Sequence, residues 1–289
     1  MRLLTVTGTA LVDCLAFSLD GARVAAACRR ANVRVWDAGS GKPAFTLRDT
    51  KNALFVGFTA DPDRLVTSSW GASPILWDLR AGTSRPLGSG HISARDTALS
   101  RDGTRIALAE GAIVCRDVAT GGELWRRKCD DPSNSHTHVR FDAAGERLFV
   151  VTHCVAVRDA ATGKERNRFD LVPGKHVTVG AAAVSPDGRW VATRAFAGLR
   201  VYDSADGRVV FEEPSVESGQ ALAFTPDGSG LAAGRSGRGG IDFWHVGTWR
   251  RGAVPNPGIG EVLSLAFSPD GLLGAAGGLR GKVALWDRE

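Results

Sequence analysis

The stretch Phe267-Ser268-Pro269-Asp270-Gly271, followed fifteen residues later by Trp286-Asp287, decides the fold, because both pieces recur along the chain. The first reads Phe17-Ser18-Leu19-Asp20-Gly21, Phe58-Thr59-Ala60-Asp61, Leu99-Ser100-Arg101-Asp102-Gly103, Phe141-Asp142-Ala143-Ala144-Gly145, Val184-Ser185-Pro186-Asp187-Gly188 and Phe224-Thr225-Pro226-Asp227-Gly228 in its other copies. The second reads Trp36-Asp37, Trp77-Asp78, Arg116-Asp117, Arg158-Asp159, Tyr202-Asp203 and Trp244-His245, with steps of 39 to 44 residues. Seven copies at such a period mean blades or solenoid units rather than a one-off fold.

Each piece has a physical job. Asp-Gly between alternating apolar runs signals a tight turn, because Gly, and less readily Asp, tolerates positive φ. Leu263, Leu265 and Phe267 alternate before the turn, and Leu273, Ala275 and Gly277 follow it, so two antiparallel strands meet in a hairpin. A third strand such as Asn32-Val33-Arg34-Val35-Trp36 ends at a second turn, with Gly41, Gly82, Gly121, Gly163 and Gly207 five residues past the aromatic position in the first five repeats. A fourth strand follows, as in Pro43-Ala44-Phe45-Thr46-Leu47. A lone four-stranded sheet cannot cover both its faces, so seven are expected to stack radially as an all-β, seven-bladed propeller of antiparallel four-stranded blades. The seventh repeat has three strands. Arg2-Leu3-Leu4-Thr5-Val6-Thr7 reads as its fourth, closing the ring and removing two exposed strand edges.

These motifs resemble the WD-repeat family of β-propellers over essentially all 289 residues. The resemblance implies a rigid binding platform, a scaffold for partner proteins or peptides, with no catalysis and no cofactor. It also implies that loops joining second to third strands share one face of the disk. The chain departs from the family in one respect. The family's Gly-His pair before the first strand is matched only by Gly90-His91, in a blade with Arg116 where the Trp belongs. Each lost buried hydrogen bond costs about 1 kcal/mol, which shifts the burden to packing of Phe17, Phe58, Phe141, Phe224 and Phe267. Arg116 and Arg158 are expected to lay their stems on the neighbouring blade and to place their heads in solvent.

Length and composition agree. A chain this long buries about 75% of its unfolded surface, enough for a core without metals or disulfides. One domain is expected over 1–289, with repeats near 10–50, 51–90, 91–130, 131–171, 172–214, 215–251 and 252–289 plus 1–9. No apolar run of about 18 residues could span a membrane. Leu11-Val12-Asp13-Cys14 is superficially similar to a lipoprotein cleavage site, but Asp13 fits such a site poorly and Val12 to Phe17 is in register with the other first strands. The five cysteines, Cys14, Cys28, Cys115, Cys129 and Cys154, form no C-x-x-C pair and read as reduced thiols of a cytoplasmic protein.

The net charge of +5 comes from arginine, 30 of the 36 basic residues, a usage that GC-rich coding also produces. Position says more than number. Arg29 and Arg30, Arg194, Arg235 and Arg238, and Arg280 and Lys282 fall in second-to-third-strand loops of blades 1, 5, 6 and 7, a contiguous basic arc suited to acidic partners. Trp70 and Phe196 occupy the same class of loop, and aromatic plus Arg is the composition of binding hot spots. Nucleic acid is disfavoured by the modest charge and the lack of a recognition signature. His136, His138, His153 and His176 could converge as a metal-binding or ligand-binding rival, but no metal site is expected. No G-x-S-x-G, phosphate-loop or H-E-x-x-H signature is present. The expectation is a non-enzymatic module, monomeric alone and part of a larger complex.

Overall fold

The computed structural model describes residues 2–5, 10–88, 94, 96–129, 136–195, 198–214, 220–236, 239–254 and 256–287. Leu11–Phe17, Arg23–Arg29, Arg34–Asp37 and Pro43–Thr46 pair in that order, all antiparallel, to form blade 1. Five further sheets repeat this order. In the seventh, Val262–Phe267, Leu273–Gly278 and Lys282–Asp287 are completed by Arg2–Thr5, with Arg2 opposite Leu285 and Thr5 opposite Lys282. The first strands touch one another in sequence, from Leu11–Phe17 through Ala53–Phe58, Asp96–Leu99, His138–Phe141, Val179–Val184, Leu222–Phe224 and Val262–Phe267, and back to Leu11–Phe17. The fold is the seven-bladed propeller that the repeats predict.

Hydrogen bonds explain why the two short motifs specify it. At the first-to-second-strand turn of blade 7, Ser268 Oγ donates to Asp270 Oδ1, which also accepts the Leu272 N–H at 3.0 Å, while the Leu273 N–H donates back to Ser268 Oγ at 2.8 Å. The same arrangement holds at Ser18 and Asp20, Ser100 and Asp102, Ser185 and Asp187, and Thr225 and Asp227. Blade 4 reaches the same end differently. There Asp142 stands where the hydroxyl belongs and accepts the N–H groups of Glu146 and Arg147 directly, at 2.9 and 3.1 Å. The Asp of the second motif caps the third-to-fourth-strand turn. Asp117 Oδ1 accepts both the Thr120 N–H and its hydroxyl, at 2.7 and 2.8 Å.

The core lies between blades rather than inside any one of them. Val33 and Val35 of blade 1, for example, pack on Val56, Leu65 and Leu79 of blade 2. Each sheet therefore depends on its neighbours to remove its apolar faces from water. A second inter-blade device is polar. One fourth-strand position, opposite the residue before the motif's aromatic slot, holds Arg2, Phe45, Arg85, Trp125, Asn167 and Phe211. Four of these donate across the gap to the carbonyl that follows the next blade's motif. Arg2 Nη1 reaches Ala38 O at 2.7 Å, Arg85 Nη2 reaches Val118 O at 2.8 Å, Trp125 Nε1 reaches Ala160 O at 2.9 Å, and Asn167 Nδ2 reaches Ser204 O at 2.9 Å. Phe45 and Phe211 fill the same gap with apolar surface.

The aromatic slots follow the sequence reading with one correction. Trp36, Tyr202, Trp244 and Trp286 are buried, and in blade 2 Trp77 Nε1 donates to Thr67 Oγ1 at 2.9 Å. Arg116 and Arg158 do not place their heads in solvent. Their side chains are only 10% and 9% exposed, and their Nη1 groups donate to Gly121 O and Gly163 O, both at 3.2 Å. Glu165 faces Arg158 at 3.2 Å. The guanidinium takes over as a turn clamp because the carbonyl of the turn glycine lies within its reach and Glu165 neutralises it. His91, the residue of the lone Gly-His pair, lies outside the described residues.

Two turn glycines separate steric from conformational need. Gly103 has φ +67°, and a Cβ there would sit 2.6 Å from Thr59 Cα in the neighbouring blade, whereas Gly82, also at φ +67°, has nothing within 4 Å of that point. Both substitutions to Ala carry the left-handed backbone cost of about 1–2 kcal/mol, but only Gly103→Ala also forces two blades apart. Calorimetry should find Gly103→Ala melting several degrees below Gly82→Ala, at about 2–4 °C per kcal/mol for chains near this size. Equal midpoints would mean that the two turns do not press together.

Candidate functional site

Antiparallel meanders put second-to-third-strand turns and the links between blades at one end of every sheet. The structure ties these segments together. Arg30 N–H donates to Asn52 Oδ1 of the link into blade 2 at 3.1 Å, and Gly281 N–H donates to Ala10 O of the link into blade 1 at 2.7 Å. Leu11 bridges Leu279, and Ala53 pairs with Ser69, so Asn52 and Trp70 flank one another. Arg280, Arg30 and Trp70 thus follow one another around the rim of blades 7, 1 and 2.

These positions differ in what they offer. Arg30 and Arg280 are exposed and hold left-handed φ values of 68° and 59°, at the turn position where blade 2 has Gly71 at 76°. Trp70 is 62% exposed. Arg29 is half-buried and occupied with Asp13, its Nε lying 3.0 and 2.9 Å from the two carboxylate oxygens. Arg235 is exposed, with Nε 2.9 Å from Asp242 Oδ2. Lys282 is exposed on the third strand of blade 7. Arg194 is not a surface residue. It is 1% exposed, and its guanidinium donates to Gly234 O in the next blade, a strut between sheets rather than a contact for a partner. Phe196 and Arg238 lie outside the described residues.

The histidines divide into separate places. His153 and His176 lie against one another with ring centroids 4.2 Å apart and planes tilted by 34°. His138 turns instead to the inner strands, with Nε2 3.0 Å from Val179 O and Nδ1 3.5 Å from Asp96 Oδ2, and His136 is exposed. Among the described residues, no three His, Cys, Asp or Glu side chains form a group that could hold a metal ion.

Sequence reasoning missed a charged cluster on the inner strands. A channel of about 430 Å³ is lined by the first strands, and on its wall Asp96 Oδ2 accepts Arg140 Nη1 at 2.6 Å and the Val139 N–H at 3.0 Å. Arg140 Nε also reaches Ala182 O at 3.2 Å, so blades 3, 4 and 5 are joined through one guanidinium. The signal was present in the charged residues that interrupt otherwise apolar strands, at Arg140 in His-Val-Arg-Phe and Asp96 in Asp-Thr-Ala-Leu.

A family model described as WD domain, G-beta repeat matches residues 2–37 and 257–287, which are the two blades that meet where the ring closes. This match and the seven-bladed fold together support a WD-repeat propeller. It is also 36% identical over 108 residues to Telomerase protein component 1 of mouse (Mus musculus), a match covering 36% of this chain and 4% of that protein. For WD-repeat propellers, the general expectation is an interaction platform rather than an enzyme.

The inner cluster also gives this propeller a pH signature. Burial opposes ionisation of Asp96, but the charge of Arg140 and the bonds from His138 and the Val139 N–H outweigh it and hold the carboxyl at about 2, against an ordinary 3.8. A depressed carboxyl stabilises the fold at pH above its unfolded value, and that contribution is lost as pH falls toward the folded value. Asp96→Asn should therefore remove a component of about 2 kcal/mol from the acid limb of the stability curve between about pH 4 and 2. Urea midpoints measured across that range should fall less steeply in the variant; parallel limbs would show that Asp96 is not held by its partners.

Proposed function

We propose that this propeller is a non-enzymatic protein-interaction module whose partner surface is the rim of blades 7, 1 and 2, built around Arg280, Arg30 and Trp70. One observation carries the reading. Arg30 and Arg280 occupy a left-handed turn position in adjacent blades, where blade 2 uses glycine. A non-glycine residue there costs about 1 kcal/mol or more, so the side chains are held against the preference of the backbone, which is the pattern of residues kept for contact. Lys51 and Arg48 on the link between blades 1 and 2 are exposed beside them and extend the positive surface. Trp70 offers a large rigid anchor, and its combination with arginine suits a carboxylate-bearing peptide or protein segment.

This arc shifts the surface expected from sequence toward blade 2. Arg194 is buried, and Arg29 and Arg235 already face Asp13 and Asp242. The likeness to a protein named as a component of telomerase is in keeping with a role inside a larger assembly. Cysteines that form no disulfide among the described residues are in keeping with a reducing, cytoplasmic setting.

The double variant Arg30→Gly, Arg280→Gly separates function from stability. It should melt at or slightly above the parent temperature, because the strain is relieved. Affinity capture from native lysate at two salt concentrations should nevertheless recover less partner, and Trp70→Ala should weaken the same partner by roughly tenfold or more. Partners retained by both variants would place the interaction elsewhere on the disk.

A further inference from the structure

The opposite face of the disk carries a groove of about 460 Å³ between blades 2 and 3. Its origin lies in the fourth strand of blade 2, Thr83–Pro86. Where blades 1, 3 and 5 fill the gap to the next blade with Phe45, Trp125 and Phe211, this strand has Arg85, preceded by Thr83 and Ser84. Arg85 spans the gap as a thin strut, donating to Val118 O and Ala119 O at 2.8 and 2.7 Å. The apolar floor of Leu76 and Val118 is therefore left without the aromatic cover that three other blades provide.

The rim is acidic in a chain whose net charge is +5. Asp61 and Asp78 line it from blade 2, Asp102 and Asp117 from blade 3, against the two guanidinium groups of Arg64 and Arg85. Arg64 is shared between Asp61 and Asp78, 3.5 and 3.6 Å away. Arg85 is anchored by the carbonyls of Val118 and Ala119 and its charge reaches Asp117, so the four carboxylates still outnumber the two guanidinium groups on the rim. An apolar slot of aromatic size under a rim of net negative charge is complementary to one kind of occupant.

We infer that this groove is a second binding site, which takes a linear segment of a partner protein carrying an aromatic side chain next to lysine or arginine. The aromatic ring occupies the space that Phe45, Trp125 and Phe211 fill in their own blades, and the basic residue meets the carboxylates of Asp102 and Asp117. Its chemistry is the reverse of the arginine rim, so the propeller can hold an acidic segment on one face and a basic aromatic one on the other.

The test uses the full chain with two blocked pentapeptides, Gly-Lys-Trp-Arg-Gly and Gly-Glu-Trp-Glu-Gly, followed through the methyl NMR signals of Leu76 and Val118. The basic peptide should shift both signals saturably, and the acidic one should bind at least about tenfold more weakly. Thr83→Trp, at an exposed position that keeps Arg85 in place, should fill the groove and weaken the basic peptide by about tenfold or more while the melting temperature holds. The change Asp117→Asn, whose amide oxygen can still accept the Thr120 N–H and hydroxyl that hold the turn, provides a second reading and should markedly reduce the preference for the basic peptide. No saturable shift at Leu76 and Val118, equal affinity for both peptides, or full binding by Thr83→Trp would each overturn the assignment. None of these results bears on Arg30, Arg280 and Trp70, so the arginine rim stands or falls separately.

Discussion

The pairing of Arg2–Thr5 with Lys282–Asp287 is the contact that the other sheets depend on, because each blade is stable only when both its faces are covered. An open row of seven sheets would leave an apolar face and a strand edge bare at each end. Closure removes both at once. Arg2 adds to it by reaching Ala38 O in blade 1, the same cross-gap bond that Arg85, Trp125 and Asn167 make elsewhere in the ring. Leu4 belongs to the apolar cluster shared by blades 7 and 1, so the closing strand is fastened by backbone pairing, a side-chain bond and packing together.

The architecture was legible because the motifs have local causes. Ser268 and Asp270 close one turn through their own side chains, and Asp117 with Thr120 closes another, so each blade announces its corners whatever surrounds it. Events between blades were not legible. Nothing local distinguishes Arg194, which is a buried strut, from Arg30, which is exposed, because the difference lies in the carbonyl of Gly234 forty positions away. Arg116 and Arg158 were misjudged for the same reason: the acceptors that keep their heads inside, Gly121 O and Gly163 O, are defined by the turn geometry of the folded blade. Arg140 and Asp96 meet only once the ring brings first strands side by side.

The division of labour between faces follows from the same geometry. Motif aspartates are confined to the end of the sheets where the two capped turns lie, and most are consumed in holding those turns. The other end is free of that duty, and its turns can carry Arg30, Trp70 and Arg280. Strain at Arg30 and Arg280 and the unfilled gap beside Arg85 are both departures from what folding alone would choose. Each marks a place where local preference and the surrounding structure disagree, and such places are where function concentrates in an otherwise self-consistent fold.

Hydrogen exchange on the intact chain, compared with a variant lacking residues 1–5, tests the account at its centre. In the intact chain, the amides of Lys282–Asp287 should be protected as strongly as those of Arg34–Asp37, the matching strand of blade 1. Removing the closing strand should strip that protection and carry the loss into Leu11–Phe17, whose blade rests against it. Unchanged protection of Lys282–Asp287 in the shortened chain would contradict closure of the ring through Arg2–Thr5.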